Sequence, residues 1–187
     1  MTNGNANDKQ TLVALVENRP GVLNRVASLF RRRNFNIDSL TVGRTENPEI
    51  SRMTIVVDHD AEKVGNQLSK LVNVIEVQEV TDVPNVSRDL ALIKVAVESS
   101  QARGEIVQLC DIFRAHIVDA GPDAMIIEIT GDEQKISSMV ELLRPLGIKE
   151  LVRTGVVTMT RGDHVLAPDE FQMRSVKRTN GHRASVV

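Results

Sequence analysis

The sequence predicts an α+β protein in which the order β-α-β-β-α-β occurs twice along its 187 residues. Three observations carry this prediction. Short, β-branched apolar runs are typical of buried strands, and four other segments repeat apolar residues at helical spacing. Turn residues such as Asn, Asp, Pro and Gly separate these segments. Because 41% of the residues are hydrophobic, the chain can bury a substantial core.

The first half of the chain supplies one complete set of these elements. The predicted strands are residues 12–16, 37–45, 50–58 and 74–80. The first helix is predicted from the spacing i, i+3, i+4, i+7, and the second from a similar apolar line. These two apolar faces are Leu23, Val26, Ala27 and Phe30, then Ala61, Val64, Leu68 and Leu71. In the fourth strand Ile75 and Val77 alternate with Glu76 and Gln78. This order predicts a ferredoxin-like unit with both helices on one face of the sheet.

The second half repeats the pattern. Strands are predicted at residues 89–97, 116–120, 124–130 and 148–157. The two helical faces are Ile106, Leu109, Cys110 and Phe113, then Ile136, Met139, Val140 and Leu143. We therefore expect a flexible tail at residues 1–9, a first domain at 10–82, a linker at 83–88, a second domain at 89–164 and a disordered tail at 165–187.

The turn between the first strand and the first helix, Glu17-Asn18-Arg19-Pro20-Gly21, has the composition of a ligand site. A helix start carries free N–H groups and a positive dipole end, which accept a carboxylate, and glycine leaves the backbone open. Asn18 offers a carbonyl oxygen for an ammonium group. Two interpretations remain open from chemistry alone: a site for a free amino acid, or a helix cap in which Asn18 satisfies the helix and nothing binds.

Other residues give weaker signals. Cys110 lies on an apolar helix face, which favours a core role over a nucleophile. The four histidines are far apart and no zinc or phosphate-loop motif is present, so we expect no metal site. Residues 31–33 are three arginines, interpreted as a solvated helix end with a partner contact as the alternative. The net charge of −2 and the lack of an 18-residue apolar run argue against nucleic acid and membrane partners. A single cysteine and no signal peptide predict a cytoplasmic protein.

Four blocks of sequence carry a family resemblance. Residues 15–26, LVENRPGVLNRV, resemble the opening of an ACT domain, a small module that senses amino acids. Residues 34–43, 50–55 and 153–163 resemble the small regulatory subunit of acetolactate synthase, also called acetohydroxyacid synthase. The similarity covers about residues 10–164 in order. It implies an N-terminal ACT domain followed by an ACT-like C-terminal domain.

The resemblance also implies a function. The chain would have no chemistry of its own; it would activate a separate large catalytic subunit and make it sensitive to branched-chain amino acids, with valine as the first expectation. Thiamine diphosphate, Mg²⁺ and FAD would belong to that large subunit, and this chain would bind none. ACT domains would pair edge to edge in a homodimer, with the effector at the interface. Its contacts would be Asn18, Pro20, Gly21, Val22 and Leu23 of one protomer and Asn36 and Ile37 of the other.

Competing functions on the same topology have specific requirements. An RNA-recognition module needs aromatic residues on its central strands, and residues 11–16 and 51–57 contain none. An acylphosphatase-like enzyme would use Arg19 to hold phosphate, but the Gly-rich loop of that family is missing. A free-standing amino-acid sensor with another target would not explain the block at residues 153–163.

Overall fold

A computed structural model describes residues 9–58, 60–163 and 165–166. These residues form two compact units: the first extends to Asn85 and resumes at Thr160, and the second runs from Val86 to Met159. Each unit contains an antiparallel sheet and two helices among its described residues. Among these described residues no helix combines the length and the apolar character needed to cross a membrane. Most of the two predicted tails lies outside the described residues, as do His59, His164 and His182.

The first unit has the predicted β-α-β-β-α-β order. Its elements are β1 (Gln10–Glu17), α1 (Val22–Arg33), β2 (Ile37–Arg44), β3 (Ile50–Val57), α2 (Ala61–Leu68) and β4 (Val74–Glu79). The sheet order is β2-β3-β1-β4, and neighbouring strands are antiparallel. This is the ferredoxin-like arrangement, with β2 and β4 at the two edges.

The core of the first unit lies between one sheet face and both helices. The strands supply alternate residues, as strand periodicity requires, and each helix supplies one apolar stripe. These residues are Leu12, Ala14, Val16, Val22, Val26, Leu29, Phe30, Met53, Ile55, Val57, Ala61, Val64 and Leu68. The predicted face of α1 is confirmed at Val26 and Phe30, which are buried, and wrong at Leu23, which is 47% exposed, and at Ala27, which is exposed. Val22 and Leu29 are buried in their place. Both pairs are apolar and close to Val26 along the helix, so apolar spacing alone does not decide which pair is buried.

A β-bulge changes the faces of β4. Leu15 of β1 pairs with Glu76 and the next residue, Val16, pairs with Val74, so Ile75 is the extra residue. As a result Val74 and Val77 pack against the core, and the predicted alternation through Ile75 is interrupted. The second helix also ends at Leu68, so Leu71 of the predicted line lies beyond it and is partly buried.

The second unit repeats the arrangement. Its elements are β5 (Asn85–Ala96), α3 (Ser100–Phe113), β6 (His116–Ala120), β7 (Ala124–Gly131), α4 (Glu133–Leu143), a 3-10 turn (Arg144–Leu146), β8 (Ile148–Arg153) and β9 (Val157–Thr160). The sheet order is β6-β7-β5-β8, and β9 also pairs with β5. The predicted helix faces are confirmed: Ile106, Cys110, Ile136, Met139 and Leu143 are buried, and Leu109, Phe113 and Val140 pack against them.

Two strand boundaries differ from the prediction. β5 begins at Asn85, inside the stretch 83–88 expected to be a linker, and β9 pairs with this longer strand. The single last strand predicted at residues 148–157 is two strands. Extended structure ends at Arg153, Gly155 takes a φ of +87°, and the next strand begins at Val157. Such a left-handed conformation is readily available to glycine, which has no Cβ to clash.

Candidate functional site

The turn between β1 and α1 leaves the start of α1 open. The residue before the helix is Gly21, with φ +84° and ψ −8°, and it has no side chain to cap the first turn. Of the two interpretations of this turn, the helix cap by Asn18 is therefore wrong. The Asn18 side-chain amide donates to the Pro48 carbonyl oxygen at 2.8 Å, and its backbone N–H donates to the Glu49 carbonyl at 2.7 Å. Both donors of Asn18 are thus held by the loop that precedes β3.

The other three helices are capped by side chains. Asp60 accepts a hydrogen bond from the Lys63 N–H at 3.1 Å, Ser99 from the Ala102 N–H at 3.1 Å, and Asp132 from the Lys135 N–H at 2.8 Å. In α1 the N–H groups of Leu23 and Asn24 have no acceptor among the described residues. An open helix start with a positive dipole end is a site for an anionic group such as a carboxylate.

The surroundings of this turn are accessible. Asn18, Pro20 and Gly21 are exposed, and Leu23 offers an apolar side chain next to the open N–H groups. Val22 differs from the other predicted contacts, because its side chain is only 5% exposed and belongs to the core. Its backbone N–H donates to the Arg19 carbonyl oxygen at 3.4 Å.

A network that the sequence did not reveal anchors the turn from below. Glu17 is only 8% exposed, and its carboxylate accepts a hydrogen bond from the Asn73 side-chain amide at 2.6 Å. The oxygen of that amide accepts a bond from Arg25 of α1 at 2.5 Å. A charged residue at the end of an otherwise apolar strand is the one sequence signal that could have indicated Glu17. The network ties the strand end, α1 and the segment before β4 together, and so fixes where the open helix start lies.

Asn36 and Ile37 lie at the other end of the same sheet. The Asn36 side-chain amide donates to a carboxylate oxygen of Asp58 at 3.2 Å, and Ile37 packs against the core. In the strand register Glu17 is opposite Ile50, whereas Ile37 is opposite Val57. Those seven steps along β3 span roughly 23 Å. One chain therefore does not bring its own Asn36 to its own Asn18.

Acid–base and metal chemistry find little support in the described residues. They contain no group of three or more His, Cys, Asp or Glu side chains placed to hold a metal ion. Burial, with a contribution from the neighbouring Asp111, raises the pKa of the Cys110 thiol, which keeps it protonated at neutral pH. The Arg19 guanidinium lies 3.7 Å from the Glu17 carboxylate.

Comparison with known proteins identifies the family. The family model described as "AHAS small subunit-like ACT domain" matches residues 12–76, and the model "Small subunit of acetolactate synthase" matches residues 88–162. A protein of Archaeoglobus fulgidus, named "Probable acetolactate synthase small subunit", is 56% identical over 158 residues, which are 83% of this chain and 98% of that protein. The chain belongs to the family of acetolactate synthase small subunits. The resemblance drawn from residues 10–164 is thus confirmed.

Two further relatives agree with this assignment. The acetolactate synthase small subunit of Aquifex aeolicus is 49% identical over 156 residues, covering 82% of this chain and 81% of that one. The crystal structure of the small subunit from Thermotoga maritima has a TM-score of 0.78 at 41% identity, and the match covers 83% of this chain and 99% of that one. Tandem ferredoxin-like domains, the first an ACT domain, are therefore the fold of this small subunit. A small subunit implies a catalytic large subunit as its partner.

Proposed function

We propose that this small subunit activates the catalytic large subunit and makes it sensitive to feedback inhibition by a branched-chain amino acid, with valine as the first candidate. The observation that carries the proposal is the open start of α1, the one helix start of the four whose first turn has no side-chain cap among the described residues. An α-carboxylate on the N–H groups of Leu23 and Asn24, and an α-ammonium on the Asn18 side-chain oxygen, satisfy both charges of a free amino acid.

The two halves of the site come from two protomers. β2 is an edge strand, so it is free to pair with β2 of a second copy. In antiparallel pairing, the start of the partner's β2 lies beside the end of the first β2. That end, Arg44, is opposite Ser51, which is in turn opposite Val16, just before the open turn. Edge-to-edge pairing therefore carries Asn36 and Ile37 of the partner toward Asn18, Pro20, Gly21, Val22 and Leu23.

The effector acts by favouring one arrangement of the paired domains. Bound between two protomers, the effector changes the activity of the catalytic subunit only if its affinities for the two arrangements differ. A tenfold difference in affinity corresponds to about 1.4 kcal/mol. The condensation of pyruvate, with thiamine diphosphate, Mg²⁺ and FAD, belongs to the large subunit. No step of that chemistry uses a residue of this chain.

The test is acetolactate formation by the cognate large subunit with and without this chain, each with and without valine. A rate that rises with the chain, and then falls with valine only when the chain is present, supports both parts of the proposal. A rise without valine sensitivity supports activation alone and directs the assay to leucine and isoleucine. No change in either condition, with both proteins folded, refutes the proposal.

Replacement of Asn36 separates the two parts. Asn36→Ala is expected to weaken inhibition and leave activation, because the residue contacts the effector and not the large subunit in this scheme. Gln108→Ala, at an exposed position of α3, is the control. Loss of activation together with inhibition in a folded Asn36→Ala chain would contradict the proposed separation.

A further inference from the structure

A groove on the helical side of the first unit combines an apolar base with a cationic rim. It lies between the end of α1 and α2 and is lined by Arg33, Phe35, Lys63, Asn66 and Gln67. The Phe35 ring meets the Phe30 ring edge-on, with centroids 6.0 Å apart and planes at 76°. Phe30 is buried in the core, so the base of the groove is fixed while the charged side chains around it are exposed.

Arg33 and Lys63 are the cations of the groove lining, and Arg31 and Arg32 precede Arg33 in the same turn of α1. Arg31, Arg32 and Arg33 are exposed in the last turn of α1, and none of them forms an ion pair with another described residue. Lys63 pairs with Asp60 at 3.0 Å. Because the whole chain carries a net charge of −2, this corner differs in sign from the average surface. Favourable interaction with the helix dipole explains cations at a helix end, but it does not explain an apolar groove beside them.

We propose that this groove, lined by Arg33, Phe35 and Lys63 and adjoined by Arg31 and Arg32 of α1, is the docking surface for an acidic segment of the catalytic large subunit. The inference rests on the proposed function, which supplies that partner. A single exposed ion pair is too weak for these cations to retain a small anion against salt. An acidic protein segment can form several such pairs at once and place an apolar side chain on Phe35, which together strengthen binding. Attraction between the opposite charges also raises its association rate.

The position of the groove relates it to the proposed effector site. Asn34, with φ +55°, ends α1; Phe35 forms the groove base; Asn36 follows directly. The residue proposed to contact the effector and the residue at the base of the groove are therefore neighbours in one short connector. If effector binding at Asn36 changes the conformation of this connector, it also changes the docking surface, because Phe35 is the neighbouring residue.

The test is the association rate of the full chain with the cognate large subunit at about 50 mM and about 500 mM salt, where screening lengths differ about threefold. Arg33→Glu is expected to slow association about tenfold at the lower salt and much less at the higher salt, with a smaller change in dissociation. The matched control is Arg88→Glu, an equal charge reversal at an exposed position of the second unit, which is expected to change the rate less than about twofold. Circular dichroism verifies that both variants are folded.

Three outcomes overturn the proposal. If the Arg33→Glu and Arg88→Glu variants associate with the large subunit at the same rate at both salt concentrations, the docking surface is wrong and the proposed function is unaffected. Arg33-dependent binding of inorganic pyrophosphate by the free chain, with unchanged association to the large subunit, makes the groove a small-anion site instead. If the unaltered chain does not associate with the large subunit at all, the proposed function and the docking surface both fail.

Discussion

Arg153 and Asp89 form a forked ion pair at the point where the last strand of the second unit breaks. Arg153 donates from Nε at 2.6 Å and from Nη2 at 2.5 Å to one carboxylate oxygen of Asp89. The other oxygen accepts bonds from the Thr154 hydroxyl at 3.2 Å and the Gly155 N–H at 3.1 Å. Asp89 is only 3% exposed, so this carboxylate depends on these donors. The start of the 153–163 block thus has a structural role: it holds β8 and β9 in their offset positions.

Removal of the Asp89 carboxylate is expected to destabilise the second unit. Asp89→Ala removes the acceptor of the Arg153 guanidinium and of the Gly155 N–H, whereas the Thr154 hydroxyl keeps the Gly155 carbonyl oxygen at 3.0 Å. We expect a loss of about 2–3 kcal/mol in the free energy of unfolding, at the lower end for a buried pair because the Arg153 side chain is 32% exposed and regains water. Urea denaturation followed by circular dichroism measures the loss, and hydrogen exchange in β8 and β9 shows whether it is local.

The control for this prediction is Asp119→Ala, which removes an exposed carboxylate from β6. It is expected to change stability by less than about 0.5 kcal/mol. Equal stability of the Asp89 and Asp119 variants would mean that the fork contributes nothing to the fold.

Two glycine replacements are expected to have opposite signs. Gly21→Ala puts a Cβ on a residue with φ +84°, which costs about 1–2 kcal/mol even though the space around it is open. Gly104→Ala, in α3, also meets nothing within 4 Å but has an ordinary helical backbone. It is expected to stabilise the chain by up to about 1 kcal/mol, because alanine is the better helix former. Thermal unfolding of both variants gives the comparison, and a stable Gly21→Ala chain would show that the turn can adopt another conformation.

The element order was predictable because it depends on local periodicity, whereas the exceptions depend on neighbouring strands. The interrupted alternation at Ile75 follows from the register between β1 and β4, and the break after Arg153 follows from the contacts of Asp89, a residue far away in sequence. No local pattern contains either fact. The error at Leu23 in the α1 face has the same origin. Val22 and Leu23 are both apolar, and packing against the sheet determines that Val22 is the buried one.

The candidate site was predictable in its residue types and not in its arrangement. Asparagine is a preferred helix cap, so the sequence could not separate a cap from a ligand site. The structure excludes the cap, because Asn18 lies before the actual cap residue, Gly21, and its donors are held by Pro48 and Glu49. The ligand site stays a prediction. The supporting contact of Glu17 with Asn73 joins residues from distant segments and has no local signature.

Mixing two defective chains is expected to test whether the site is shared between protomers. Asn18→Ala and Asn36→Ala are each expected to raise the valine concentration for half inhibition about tenfold or more, as one hydrogen bond to a charged ligand is lost. A mixed dimer places both substitutions in one site and leaves the other site intact, so co-expression is expected to restore part of the inhibition. The readout is acetolactate formation with the large subunit over a valine titration.

The control for the mixture is the double variant Asn18→Ala/Asn36→Ala mixed with the unaltered chain. In that mixed dimer each site carries one substitution, so high-affinity inhibition comes only from unaltered homodimers. If the mixture of single variants is no more sensitive to valine than either variant alone, and sedimentation shows that mixed dimers form, a site shared between protomers is contradicted.

Cys110 is expected to be unreactive in the folded chain. Burial and the nearby Asp111 raise its thiol pKa, so the reactive thiolate is scarce at neutral pH, and the side chain is packed between α3 and the core. Because Cys110 is the single cysteine, its labelling by a thiol-specific disulfide reagent reports on one site. We expect native labelling at least about a hundredfold slower than labelling in denaturant, since it requires local opening. The reference is Ser137→Cys in a Cys110→Ala background, which presents an exposed thiol on α4.

The raised pKa of the Cys110 thiol also makes the free energy of unfolding depend on pH. Its contribution to stability is complete below the unfolded thiol's pKa of about 8.5 and is lost as pH rises through the pKa of the folded state. Cys110→Ala is therefore expected to flatten the alkaline loss of stability, and rapid native labelling at neutral pH would contradict the buried role.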